Sequence, residues 1–174
     1  MRKIFLLSFL SIIFFNSAKT QKHLGIGDSI PDFSLKDQDG NLFNIKDYIG
    51  KKILVIYFYP KDESAVCTKE ACTFRDSYSS FANAGATVIG INSGSVESHK
   101  SFQQHHRLPF ILLSDPGNKV LKLFAVKGKF MFTGRKTFVI DLNGKIVFTF
   151  DSFTNGSGHS SKTLEFIQQM NTKK

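Results

Sequence analysis

Both cysteines of this 174-residue chain fall in one stretch, "PKDESAVCTKEACTFRD", residues 60–76. A thiol pair this close can form a structural disulfide, contribute to a metal site, or divide the work of attack and resolution. Cys67 follows an apolar run that stops at Pro60 and falls in the first turn of a helix that Ser64 can cap. Free backbone N–H groups and the positive end of a helix stabilise anions there. Such a position lowers a thiol pKa from about 8.5 towards neutrality and makes thiolate available. Ser64, three residues earlier, has a hydroxyl that could donate to that sulfur or to a bound oxygen. By location, Cys67 is a nucleophile.

Cys72 is harder to place. On an ideal helix a spacing of five gives ~140° of rotation and ~7.5 Å of rise, so the two Cα atoms stand ~8.6 Å apart. A disulfide needs them within about 7 Å. Either the bond is permanent and the segment is not helical, or a helix unwinds when the bond forms. A permanent staple over so short a loop constrains the unfolded chain little. A metal site needs more ligands than two thiols, and no His lies in the segment.

The rest of the chain reads as the frame for this stretch. Phe33 and Leu35 alternate with polar residues, Asp39–Gly40–Asn41 turns the chain, and Leu42, Phe43 and Ile45 resume, which predicts a hairpin. "KKILVIYFYP" predicts a strand buried on both faces. Residues 65–82, free of Gly and Pro, predict one helix ending before Gly85. "ATVIGIN" predicts a second buried strand, "SVESHKSFQQHH" a polar exposed helix, "FILLS" a short strand and residues 118–124 a short helix. "KTFVID" and "KIVFTF" flank the turn Leu142–Asn143–Gly144 as a second hairpin. "SKTLEFIQQM" places Leu164, Ile167 and Met170 at helical spacing. Strands alternating with helices argue for an α/β fold: a mixed central sheet with helices on both faces and an N-terminal hairpin. A thioredoxin-like fold fits that order.

The first residues differ in kind. Arg2 and Lys3 precede an apolar run, Ile4–Phe15, and a small polar exit, which is the pattern of a secretory signal peptide. The run is shorter than the ~20 residues that span a bilayer. The expected division is therefore a leader over residues 1–20 and one domain over 21–174, exported to the periplasm or the outside of the cell, with no stable membrane association. Losing Arg2, Lys3 and Lys19 would lower the net charge from +9 to +6, leaving 20 basic against 14 acidic residues. Those charges are interspersed, without the concentrated basic face that nucleic-acid binding needs.

"YFYPKDESAVCTKEAC" resembles the active-site segment of the Q-type peroxiredoxins, the bacterioferritin comigratory protein group. Pro60, Ser64 and Cys67 meet the family pattern Pro-x-x-x-Thr/Ser-x-x-Cys, and Cys72 matches its resolving cysteine. The likeness continues through "SVESHKSFQQHHRLPFILLSDPGNKVLKLFAV" and "GRKTFVID", covering residues 27 to about 170. Ala65 and Val66 stand where Pro and Gly often precede the reactive cysteine, which should slow local unwinding. The resemblance implies a peroxidase in which Cys67 attacks a hydroperoxide and becomes a sulfenic acid. It implies that Arg135 holds the thiolate and polarises the peroxide, that Ser64 hydrogen-bonds both, and that Pro60 shields the pocket. Cys72 then closes an intramolecular disulfide, which a thioredoxin-like dithiol protein reduces. No metal or organic cofactor is implied, and a monomer suffices.

Other residues rank lower. His99, His105 and His106 read as a solvated helix face, and His159 as a surface or capping residue at the last helix. Tyr57 and Phe58 read as core. Glu70 and Arg75 read as surface charges or props of the reactive helix, not as catalytic groups. Two rival functions stand beside the peroxidase. An exported thiol–disulfide oxidoreductase would carry Cys-x-x-Cys and a later cis-Pro, neither of which is here. A non-enzymatic redox sensor would use the same thiols and differ by not turning over with a dithiol.

Overall fold

The computed structural model describes residues 24–128 and 133–172. The leader assigned to residues 1–20 lies outside the described residues. The N-terminal hairpin forms as β1 (Ser34–Asp37) and β2 (Leu42–Asn44), paired antiparallel. The Asp37 carboxylate fixes its turn by accepting from the backbone N–H of Asp39 and Asn41. The apolar run becomes β3 (Ile53–Phe58), with every residue buried.

After β3 come α1 (Ala65–Asp76), α2 (Tyr78–Asn83), β4 (Ala86–Asn92) and α3 (Val96–His106). They are followed by β5 (Ile111–Ser114), α4 (Lys119–Leu123), β6 (Lys136–Ile140), β7 (Ile146–Asp151) and α5 (Gly156–Thr172). The seven strands make one sheet in the order β2-β1-β5-β4-β3-β6-β7. β3, β4 and β5 run parallel; β1, β6 and β7 join antiparallel. This is the mixed, thioredoxin-like sheet that the element order implied.

Alternation along β3 sorts the core into two layers. Leu54, Ile56 and Phe58 face a layer with Phe33, Phe43, Phe124 and residues of α4. Val55 and Tyr57 face the other layer, where Phe74, Phe81, Phe102 and Ile167 bring in α1, α2, α3 and α5.

Three helix expectations are corrected. The helix predicted over 65–82 is two helices, because Ser77 leaves helical geometry at φ −99°, ψ 5°. Phe74 and Phe81 on either side of that bend are both fully buried. The last helix starts at Gly156, ahead of the predicted 161. Its two early glycines read as breakers, yet Asn155 caps the helix through the Gly158 N–H, and a side chain at Gly156 would strike the Val66 carbonyl oxygen at 2.7 Å. Glycine is what lets α5 lie against the start of α1. The third correction concerns α3, which is not wholly exposed: His99 and Phe102 are buried. No described helix is long and apolar enough to cross a membrane.

Candidate active site

β3 ends at Phe58, and its neighbour β6 starts at Lys136, paired with Phe58. Arg135 therefore enters the sheet where the chain leaves β3 for Pro60 and α1. Gly134 sets its approach, since a Cβ there would lie 2.2 Å from the Lys127 carbonyl oxygen. Cys67 is the third residue of α1, at a helix start whose first backbone bond runs from Thr68 N–H to the Ser64 carbonyl. The Cys67 residue is 1% exposed, and Arg135 Nη2 donates to its sulfur at 3.0 Å.

The other nitrogen of that fork, Nη1, donates to Glu70 Oε2. Glu70 is one helical turn beyond Cys67 and fully buried. Burial pushes its carboxyl up to about 8, against the opposing pull of Arg135. Its second oxygen, Oε1, has no hydrogen-bond partner and lies 3.4 Å from His159 Nδ1. His159 is also fully buried, bonded through Nδ1 to the Thr137 hydroxyl at 2.8 Å and through Nε2 to the Ser152 carbonyl at 2.9 Å. Burial brings its pKa down to about 4, outweighing the Ser152 carbonyl, so the ring is neutral.

The remaining predicted residues lie around this centre. Pro60 and Ser64 line a pocket of about 640 Å³ with Asp62, Asn92, Ser98 and Thr133. Ser64 occupies the cap position without capping, and its hydroxyl donates to the Lys61 carbonyl at 3.2 Å rather than to sulfur. Cys72 is half-buried on the same continuous helix, and both thiols are free. Arg75 props that helix by donating to the His106 carbonyl at 2.9 Å.

Sequence reasoning misplaced several groups. Glu70, read as a surface charge or a prop of the reactive helix, and His159, read as a surface or capping residue, are both buried behind Arg135. The spacing of three from Cys67 was the available signal for Glu70, since it puts both on one helix face. For His159 there was none short of knowing that α5 packs on α1. His99 is buried rather than solvated: its Nδ1 meets Asp62 Oδ2 at 2.8 Å and its Nε2 the Leu113 carbonyl at 3.2 Å. His105 and His106 do reach solvent, but both bond to the Glu63 carboxylate, at 3.0 and 2.8 Å. The three ligand atoms lie within 4.8 Å of one another, a span that one divalent ion could bridge.

The family model described as "AhpC/TSA family" matches residues 26–149. Peroxiredoxin Q, chloroplastic, from Sedum lineare is 44% identical over 146 residues, covering 83% of this chain and 78% of the relative. The Arabidopsis thaliana protein of the same description is 46% identical over 144 residues, covering 82% and 66%. Among solved structures, the peroxidoxin BcpB of Mycobacterium tuberculosis superposes with a TM-score of 0.80 at 32% identity, over 85% of this chain and 99% of that one. A cysteine-to-serine mutant of Xylella fastidiosa PrxQ gives 0.79 at 28% identity, over 86% and 99%.

These relatives correct the expected location. The curated plant proteins are chloroplastic, which points towards a plastid rather than to the periplasm or the cell exterior. The first 20 residues have basic groups and no acid. Signal and transit peptides share that trait, so it could not decide between them. The chain belongs to the AhpC/TSA family and, within it, to the Q-type peroxiredoxins, which are thiol-dependent peroxidases.

Proposed function

We propose that Cys67 is the peroxidatic nucleophile and Cys72 its resolving partner, with Arg135, Ser64 and Pro60 forming the peroxide site. The observation that carries this reading is the 3.0 Å contact between the buried Arg135 guanidinium and the Cys67 sulfur. A fixed cation and the start of α1 both face the sulfur that has to attack. The guanidinium stays charged at any working pH, so it also polarises the O–O bond.

The pocket that Pro60 and Ser64 line is walled by neither Cys67 nor Arg135, so the peroxide has to pass Pro60 and Ser64 to reach the buried sulfur. The thiolate attacks its distal oxygen, the S–O bond forms as the O–O bond breaks, and an alkoxide or hydroxide leaves and is protonated. Ser64 turns its hydroxyl from the Lys61 carbonyl to the bound peroxide.

Resolution needs a change of shape. Cys67 and Cys72 share an unbroken helix, which holds their Cα atoms ~8.6 Å apart. Disulfide closure therefore loosens α1 from its start, including the place where Val66 backs onto Gly156. Cys72 sulfur attacks the Cys67 sulfenic acid, water leaves, and the disulfide is returned to two thiols by a thioredoxin-like dithiol protein.

Peroxide consumption by the Cys67→Ser and Cys72→Ser proteins tests the assignment. Cys67→Ser should be inactive, whereas Cys72→Ser should complete one turnover and stop as a sulfenic acid. Turnover in Cys67→Ser would remove that residue from the nucleophile role. Hydrogen exchange tests the shape change: the disulfide form should lose protection over residues 66–73. Equal protection in both forms, with the bond confirmed by mass spectrometry, would defeat the unwinding step.

A further inference from the structure

Two acids contact one buried cation. Arg135 is 3% exposed and gives Nη2 to Cys67 and Nη1 to Glu70. A single guanidinium neutralises one negative charge, and a second ionised group in the same dry space has no counter-ion. Every element packed on Glu70 bears this out. From α1 there is Cys67, from the β6 side Arg135 and Thr137, from β3 Tyr57 and from α5 His159. Burial holds the Tyr57 hydroxyl in its neutral form. Arg135 is the one cation among them.

Hydrogen-bond polarity at His159 then says which acid keeps a proton. Nε2 faces the Ser152 carbonyl, which can only accept, so Nε2 carries the hydrogen. In the neutral ring Nδ1 is therefore an acceptor, and the Thr137 hydroxyl fills its lone pair at 2.8 Å. Glu70 Oε1 sits 3.4 Å from that lone pair. Oε1 therefore receives no hydrogen from His159 or from another donor, so an ionised Glu70 would hold a buried, unsatisfied charged oxygen, which the neutral acid avoids.

We propose that Glu70 is the internal proton donor of the peroxidase reaction, a carboxylic acid while Cys67 is a thiolate and a carboxylate once Cys67 is oxidised. This rests on Cys67 being the nucleophile. The thiolate gives two electrons to the distal peroxide oxygen, S–O forms, and O–O breaks. The departing oxyanion takes the Glu70 proton and leaves as water or alcohol. The sulfenic acid is neutral, and the charge that Cys67 gave up reappears on Glu70, still paired with Arg135. When the dithiol later restores the Cys67 thiol, that thiol returns its proton to Glu70 and the cycle closes.

The test uses full-length Cys72→Ser protein, which halts at the sulfenic acid, in weak buffer near neutral pH with an indicator dye. With Glu70 present, peroxide should draw no proton from solution. With Glu70→Gln added, a full proton should be taken up for each sulfenic acid formed. Infrared difference spectra should show a carboxylic acid C=O band lost on oxidation, absent from the Glu70→Gln protein. Equal proton uptake in the two proteins, or an unchanged carboxylic band, would overturn the proposal. If Glu70→Gln does not fold, the infrared change in the Glu70-containing protein decides alone. Cys67→Ser is the control: peroxide consumption there would defeat the nucleophile assignment instead, with the Glu70 band unmoved.

Discussion

Among the described residues, two acid–histidine pairs are buried, and their acids end in opposite charge states. Asp62 meets His99 beside the pocket; Glu70 meets His159 behind Arg135. Burial pushes both carboxyl groups up. At Asp62 it loses, because four groups donate to the two oxygens. Tyr59 and Asn92 donate to Oδ1, and Ser98 and His99 to Oδ2, between 2.6 and 2.8 Å. That carboxyl is held below its ordinary value, with His99 and Ser98 the strongest opponents of burial. Glu70 has one donor, on one oxygen, and rises to about 8. Residue type and burial are the same in kind at the two sites. What differs is the count of donors that the fold aims at the oxygens. The well-furnished acid anchors the loop between β3 and α1; the poorly furnished one stays able to give up a proton.

The largest effect should come from swapping acid for amide at both sites. Asp62→Asn turns an amide N–H₂ towards donors that need an acceptor and leaves His99 without its anion. A cost of about 3 kcal/mol is expected, since buried donors that Asp62 satisfies lose their acceptor. Glu70→Gln should not destabilise near neutral pH, because the amide stays neutral where the unfolded chain otherwise gains by ionising Glu70. Its amide is neutral like the protonated acid, and its oxygen accepts from Arg135 as the acid's does. Denaturant midpoints measure both, and equal losses at the two sites would erase the contrast.

A smaller effect, in pH dependence, sharpens the comparison because the two acids have opposite signs. Glu70 keeps its proton up to about 8, while the unfolded chain releases it near 4.5. Between those values the folded state holds more protons, so raising the pH lowers stability until about 8, where the trend levels. Asp62, depressed, contributes stability above its ordinary value and loses it as pH falls through its lower folded value. His159 acts below 6.5, where the unfolded ring gains a proton that the folded ring refuses until about 4. The window from about 6.5 to 8 therefore separates Glu70 from both. There, stability of the native protein should decline relative to Glu70→Gln. Parallel curves for the two proteins would place the Glu70 proton elsewhere.

The contrast also marks what the sequence could and could not disclose. Alternation and turn chemistry placed the hairpins, and the unbroken apolar run marked β3, because those signals are local. Cys67 at a helix start and its pairing with Arg135 were legible too, the first from Pro60 and Ser64, the second through the family likeness. Glu70 and His159 were not, because their roles depend on α5, the last helix of the chain, crossing α1. Gly156 and Gly158 looked like reasons to start α5 late, when Gly156 is what permits the crossing. His99 was misread because a helix rich in Ser, Gln and His looks polar all round. Only the position of Asp62 under it makes one of those histidines a buried partner.

The least effect is expected at the exposed counterpart of Asp62. Glu63 follows it in sequence and also binds histidines of α3, His105 and His106, but at the surface. Its own side chain is 47% exposed, and such pairs contribute about 1 kcal/mol or less. Glu63→Gln should leave the denaturant midpoint almost unmoved. The backbone at Glu63 is left-handed, with φ 57°, and it immediately precedes the cap position of the helix that carries both cysteines. The two histidines thus tie the front of α1 to the end of α3, and disulfide closure has to loosen that front. Releasing the tie should speed the step from sulfenic acid to disulfide by about two- to fivefold, the rate equivalent of such a surface pair. It should leave the initial attack on peroxide unchanged. Stopped-flow traces that resolve the two steps measure this directly. A slower attack with unchanged closure would mean that Glu63 shapes the peroxide pocket and has no part in restraining the helix.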